Sequence, residues 1–210
     1  MAIKIDDHRG QQLVEMIQQW PKEDFETFQQ MMMVRFEEFK AVLKANGISN
    51  FVKEFYEVFD DAVVQGKTLV SCSKGCHFCC RQNVHVYKAE AAVIAEYCRE
   101  HGIEIPKIYL KEQMRYGWKE LAKTEVGWCV FLKDGECSIY PVRPIACRNY
   151  FVISNPKLCD IITYPSEKGF RVVSKVLVFP LMLSVAFGGI MKERKDEGGS
   201  LSEMLLPYSK

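Results

Sequence analysis

All nine cysteines in this 210-residue chain fall between residues 72 and 159, eight of them as Cys72-x3-Cys76-x2-Cys79-Cys80, then Cys129-x7-Cys137-x9-Cys147, then Cys159, with Cys98 alone between the two runs. A thiolate is a soft anionic ligand, and close spacing lets one short loop present several sulfurs to one ion or cluster without ordering much chain between them. Zinc or iron–sulfur chemistry is therefore the first expectation. Cys79 and Cys80 are neighbours, and adjacent side chains converge poorly on one mononuclear ion in relaxed geometry. They are expected to serve two centres, or one of them to stand behind the ligand shell. A disulfide framework, the usual alternative, belongs to small secreted chains with an even cysteine count. The count here is odd, and Met1–Arg9 lacks the apolar core of a signal peptide. A reducing, cytoplasmic setting is the expectation.

Composition narrows the classes further. Lys+Arg 28 against Asp+Glu 27 leaves a formal charge of +1, so there is no global electrostatic case for nucleic acid. A hydrophobic content of 48% argues for a folded chain, and 210 residues suffice for one substantial core with room for a second small lobe. The reading divides it into an N-terminal helical segment (1–66), a cysteine-cluster metal-binding domain (67–165) and a C-terminal extension of the same globule (166–210).

Phe25, Phe28, Met32, Phe36, Phe39 and Leu43 recur at three- and four-residue spacing, which draws one apolar stripe along a helix from Lys22 to Ala45. Pro21 is placed to start it and Asn46-Gly47 to stop it. A second helix is expected from Phe51 to Gln65, with Phe51, Val52, Phe55, Tyr56, Phe59 and Val63 on one face and Gly66 as its cap. A shorter helix is expected near Gln11–Gln19. Met31-Met32-Met33 points around a helix rather than to one side, so packing is preferred to soft-metal binding.

Residues 70–81 are too irregular for either period and read as a metal-binding loop in which Gly75 permits a tight bend. Tyr87–His101 reads as a helix that ends at Gly102, with Cys98 a buried small hydrophobe on it. Pro106 opens another helical stretch bearing Ile108, Leu110, Met114, Trp118 and Leu121. Asp134-Gly135 between two apolar runs signals a hairpin that brings Cys129 and Cys137 to one ribbon.

These two compound motifs resemble the YkgJ-like cysteine-cluster family, described as carrying a zinc- or iron-chelating domain. The matching residues are Cys72, Cys76, Cys79 and Cys80, then Cys129, Leu132, Gly135, Cys137, Ile139, Tyr140, Arg143, Pro144, Cys147 and Arg148, with Cys159 as a trailing cysteine. The resemblance covers residues 70 to 160 and implies metal chelation while leaving any activity open. A related group, the flagellin lysine N-methylases, joins such a cluster to methyl transfer from S-adenosylmethionine. Arg81, Arg143 and Arg148 flank the cysteines, where a guanidinium can offset an anionic thiolate site or form an ordinary ion pair. His77 lies between two expected ligands and is a lesser candidate for ligation.

Cys72-x3-Cys76-His77-Phe78-Cys79 also fits the cluster motif of radical S-adenosylmethionine enzymes. That class requires a βα barrel with the motif after an early strand, whereas helices precede it here. The uncharged run Val176–Ile190 is shorter than the roughly 20 residues needed to span a bilayer and contains Pro180, so a buried strand followed by a core helix or turn is expected. Lys192–Ser200 reads as a solvated loop, with Leu205, Leu206 and Tyr208 docking back on the body. The expectation is thus a mainly α protein: helices around a small irregular cysteine-rich core with a short β-hairpin. Eight cysteines, Cys72, Cys76, Cys79, Cys80, Cys129, Cys137, Cys147 and Cys159, are expected to bind zinc or an iron–sulfur cluster. The implied role is redox, structural or accessory, and a protein partner is compatible with it. The alternative is an S-adenosylmethionine-dependent enzyme of the lysine N-methylase or radical type. No nucleophile–base pair, phosphate loop or paired carboxylate emerges from the sequence.

Overall fold

The computed structural model describes residues 22–64, 71–73, 75–152, 155–160, 162–163 and 175–210. The helix expected at Gln11–Gln19 lies outside these residues. The chain forms a mainly α structure that divides into two units, one up to Gly47 and one from Ile48 to Lys210.

Helix α1, Lys22–Val64, runs through that division and is broken at Gly47, whose φ of 76° and ψ of 174° are non-helical. Glycine alone enters this region without strain, so the expected stop at Asn46-Gly47 is seen as a break between two helical arms. In the first arm Phe39 is buried and Phe36 half-buried under the Lys40 ammonium, 4.4 Å from its ring centroid. The side chains of Phe25, Phe28 and Met32 lie outside the description. Met31, Met33 and Val34 are exposed, which corrects the expectation that the Met31 and Met33 side chains pack.

The second unit is built on the other arm. Phe51, Val52, Phe55, Tyr56 and Phe59 are all buried, as their helical spacing predicts. Their partner is α6, Lys175–Glu193, with Leu183, Phe187, Ile190 and Met191 buried at i, i+4, i+7 and i+8. The Phe187 ring lies 6.0 Å from Phe51, stacked, and 4.9 Å from Phe55, tilted. The expected strand at the start of this apolar run is instead helix from Lys175 onward, with Pro180 inside it. A short apolar run has no period that separates a buried strand from a buried helix, and the packing against α1 decided it. Among the described residues no helix is long and apolar enough to cross a membrane.

Strand β1, His85–Tyr87, leads into α2, Lys88–Glu100, within a residue of the expected bounds. Helices α3, Lys107–Gln113, and α4, Trp118–Leu121, follow. Strands β2, Leu132–Lys133, and β3, Glu136–Cys137, form the expected hairpin, with Asp134 at φ 51° and Gly135 at φ 80° as the turn pair. Helix α5 is Ile145–Arg148. Strand β4, Gly198–Ser200, pairs antiparallel with β1 through His85↔Ser200 and Tyr87↔Gly198, so the expected solvated loop 192–200 ends in a sheet. Helix α7, Leu201–Leu205, buries Leu205 and packs on α2 and α3, as expected, whereas Leu206 is half-buried and Tyr208, expected to dock with them, is exposed.

Three buried polar side chains tie these elements together. The Glu90 carboxylate, near the start of α2, accepts from the Tyr56 hydroxyl at 2.9 Å, Ile145 N–H at 2.8 Å and Tyr87 N–H at 3.1 Å. Gln113 on α3 donates to the Val126 and Trp128 carbonyls at 2.8 and 2.7 Å and accepts from Ser202 at 2.6 Å. Every group in these links has a partner, which is what makes burying it tolerable. Together they fix the chain just before Cys129 and again two residues before Cys147.

Candidate metal centre

The first run lies in an irregular loop. Cys76 N–H closes a turn onto Ser73 O at 3.0 Å, with Gly75 at φ 85°, and a 3-10 turn over Phe78–Arg81 carries Cys79 and Cys80. Val152 N–H donates to the Cys72 sulfur at 3.4 Å while Ser71 N–H donates to Val152 O at 2.8 Å, so the start of this loop is pinned to the chain just beyond Cys147. The second run approaches from Trp128, whose carbonyl is held by Tyr109 and Gln113. Cys129 N–H then donates to Cys80 O at 2.7 Å. That bond splices the two runs through the main chain.

Backbone N–H groups face several of the sulfurs: Phe78 for Cys76, Phe131 and Leu132 for Cys129, and Ile139 for Cys137. Three of these donors sit two residues after the cysteine they serve, the geometry of a tight turn wrapped around a sulfur. Donors aimed at sulfur favour its anionic form, which a metal-bound thiolate requires. Burial opposes this and dominates. It pushes Cys129 up to about 12 and raises Cys72, Cys76, Cys137 and Cys147, with mutual repulsion of the thiolates adding to the shift. The repulsive couplings also report neighbourhood. Cys79 is felt by Cys72 and Cys76 on one side, and by Cys129, Cys137 and Cys147 on the other.

Cys159 is buried on the 3-10 turn Pro156–Cys159, which packs against the Phe78–Arg81 turn. Cys80 is tied in by its main chain, through Cys129 N–H and through its own N–H to His77 O at 2.9 Å. Cys98 stands apart, buried on α2, with burial raising its thiol to about 11. All nine cysteines are free thiols. Among the described residues no three His, Cys, Asp or Glu side chains are closed into a ready ligand set. The donor chemistry fits a soft cation, and the sulfurs are gathered without being drawn to bonding distance of a common point.

The flanking arginines do more than sit beside the cysteines. Arg148 is fully buried and donates to Asp60, to Arg143 O at 2.8 Å and to Pro141 O, while its guanidinium lies 4.2 Å from the Tyr56 ring centroid. Arg143 pairs with the same Asp60 at 3.2 Å. Both guanidiniums favour the Cys137 thiolate, and Arg143 favours that of Cys147. Asp60 was not singled out from the sequence, and Tyr56 entered only as a member of the apolar face of its helix; the arrival of the 140–148 turn gives both an arginine neighbour. Arg81 lies over Trp128, 4.0 Å from its ring centroid, and donates to Ala122 O at 3.3 Å. His77 places Nδ1 3.0 Å from Gly75 O, a bond that requires the proton on that nitrogen, and its ring lies against Phe78 and Trp128.

Residues 71–165 match a family model described as "CxxCxxCC: Putative zinc- or iron-chelating domain". The cysteine-bearing segment is thus similar to that family over a little under half of the chain. The matched span of this domain includes all eight clustered cysteines as well as Arg81, Arg143 and Arg148, and excludes Asp60, Tyr56, α6, β4 and α7. No curated protein and no solved structure matches the chain.

Proposed function

We propose that the protein binds zinc or an iron–sulfur cluster through Cys72, Cys76, Cys79, Cys80, Cys129, Cys137, Cys147 and Cys159, and acts in a redox, structural or accessory capacity in the cytoplasm. The observation that carries this reading is the position of Cys79, in electrostatic reach of sulfurs from both runs, beside the Cys129–Cys80 main-chain bond. Buried thiols with raised proton affinity stay neutral until a cation displaces their protons, so the site is built to exchange protons for metal. Cys79 is the natural member to join a set drawn from Cys72 and Cys76 to one drawn from Cys129, Cys137 and Cys147. Zinc held there would cross-link the loops without redox chemistry, whereas an iron–sulfur cluster would supply electron transfer. The mainly α fold, with short antiparallel ladders only among the described residues, offers no support for the radical barrel alternative.

Metal analysis of anaerobically purified protein is the deciding experiment, read with absorbance at roughly 400 nm, where thiolate-bound iron absorbs and zinc does not. At least one zinc or one cluster per chain is expected, lost in Cys79→Ser. Substoichiometric metal in protein that still titrates nine thiols would sink the reading.

A further inference from the structure

The segment from Pro106 to Thr124 carries a surface that the metal centre does not use. Of the apolar side chains on this stretch, Ile108 is 86% exposed, Trp118 53% and Met114 43%. Leu110 and Gln113 are buried and Tyr109 reaches in to the Trp128 carbonyl, whereas Lys107, Ile108 and Lys111 on another arc of α3 are exposed. Exposure then continues without a break from Met114 through Glu120, taking in Arg115, Tyr116, Trp118 and Lys119. The Lys119 ammonium lies 5.6 Å from the Trp118 ring centroid. The turn Leu206–Tyr208, with Tyr208 also exposed, packs against α3 and extends the apolar surface.

Charge distinguishes this tract from an ordinary apolar patch. Residues 106–124 hold five lysines and arginines against Glu112 and Glu120, an excess of three positive charges (five minus two), in a chain whose total is +1. One of those carboxylates, Glu112, is already paired with Arg115 at 2.7 Å. Large aliphatic and aromatic side chains interleaved with lysines on exposed helix are suited to the boundary between acyl chains and anionic headgroups. Rings alone would suit stacked bases, but Ile108 and Met114 at the middle of the tract have no ring to stack.

We propose that this face docks the protein on an anionic lipid surface, with Ile108 and Trp118 entering the interfacial layer and Lys107, Lys111, Arg115 and Lys119 facing the headgroups. It is an interaction of the full chain that does not require the metal centre to be of any particular type.

The test is co-sedimentation of the intact protein with vesicles of phosphatidylcholine alone or with roughly one third phosphatidylserine. Binding is expected to the anionic vesicles only, and to fall steeply between about 0.1 and 0.5 M salt. Trp118 emission should shift to shorter wavelength on binding, a change absent in Trp118→Phe. Ile108→Ser with Trp118→Ser should lower partitioning about tenfold or more, and Lys107→Gln with Lys111→Gln about fivefold for each charge removed. Lys192→Gln with Arg194→Gln, basic positions elsewhere on the surface, should leave it unchanged. Circular dichroism and metal content establish that each variant is folded. No binding, equal binding to both vesicle types, or binding indifferent to Ile108 and Trp118 would overturn the proposal. Tighter binding of a single-stranded oligonucleotide that displaces the vesicles would overturn it in favour of a nucleic-acid surface.

Discussion

The second arm of α1 and the cysteine loops are held by different physics. Along the arm, Phe51 and Phe55 pack against Phe187 of α6 and Phe59 is fully buried, contacts that need only the exclusion of water. The cysteine loops consist of 3-10 turns, a two-residue ladder and a four-residue helix. Their interior is lined by thiols whose ionisation burial opposes. One region is closed by apolar contact; the other carries free sulfurs that no three-membered ligand set closes among the described residues.

The strongest way to break that contrast is to take the metal away. Ligand binding energy for gathered thiolates appears as folding energy of the loops, about 10 kcal/mol or more for structural zinc. Hydrogen exchange should then show residues 71–81 and 128–160 losing protection by orders of magnitude on chelation, and residues 48–64 keeping theirs. Equal protection of the cysteine loops in both states would mean that the polypeptide alone holds them.

The converse cut is Phe59→Ala, which should cost about 3–5 kcal/mol in urea unfolding because a fully buried ring leaves a cavity. Metal per folded chain should not change. A variant that loses metal at full secondary structure would show the two regions to be one cooperative body.

Glu90 tests the bond between the regions, since its carboxylate joins Tyr56 on the arm to Ile145 beside Cys147. Glu90→Ala strands three donors and should destabilise by about 2–4 kcal/mol. Burial raises the Glu90 pKa above its ordinary value, outweighing the hydrogen bonds and Arg148 that lower it. Its contribution to stability is therefore fully present below the unfolded carboxylate range and is lost as pH rises through the raised folded value. Metal-free protein should accordingly lose up to about 1.4 kcal/mol per pH unit across that window. Urea midpoints measured from acid to neutral pH for wild type and Glu90→Gln check this, and an identical slope in both would assign the effect elsewhere.

The smallest effect is expected at Cys98. It is a thiol by chemistry and core by location, so Cys98→Ala should cost on the order of 1 kcal/mol and leave metal stoichiometry untouched. Loss of metal there would redraw the boundary between the two regions.

What could be read in advance follows the range of the forces involved. Local signals carried α2 between Tyr87 and Gly102, the Asp134-Gly135 hairpin and the phenylalanine face of the arm, since capping, turn chemistry and helical period act within a few residues. Strand β4 was illegible because Gly198-Gly199-Ser200 has no strand propensity of its own, and β1, more than a hundred residues earlier, supplies the pairing. The start of α6 was misread where an apolar run lacks a period. At the metal centre the cysteine spacing marked the loops, but not Asp60, which meets Arg143 and Arg148 only through long-range folding. A single carboxylate in the apolar face of α2 was the one visible sign of the Glu90 network.

Cys79 and Cys80 divide their labour by atom type. One has its sulfur within electrostatic reach of thiols from both runs, and the other offers its carbonyl to Cys129 N–H at 2.7 Å. Consecutive Cα atoms are fixed about 3.8 Å apart, so this pair acts as a ruler one peptide long between the splice and the shared sulfur. Its length is set by covalent geometry alone, and one residue inserted between the two cysteines would put the main-chain anchor and the sulfur out of step.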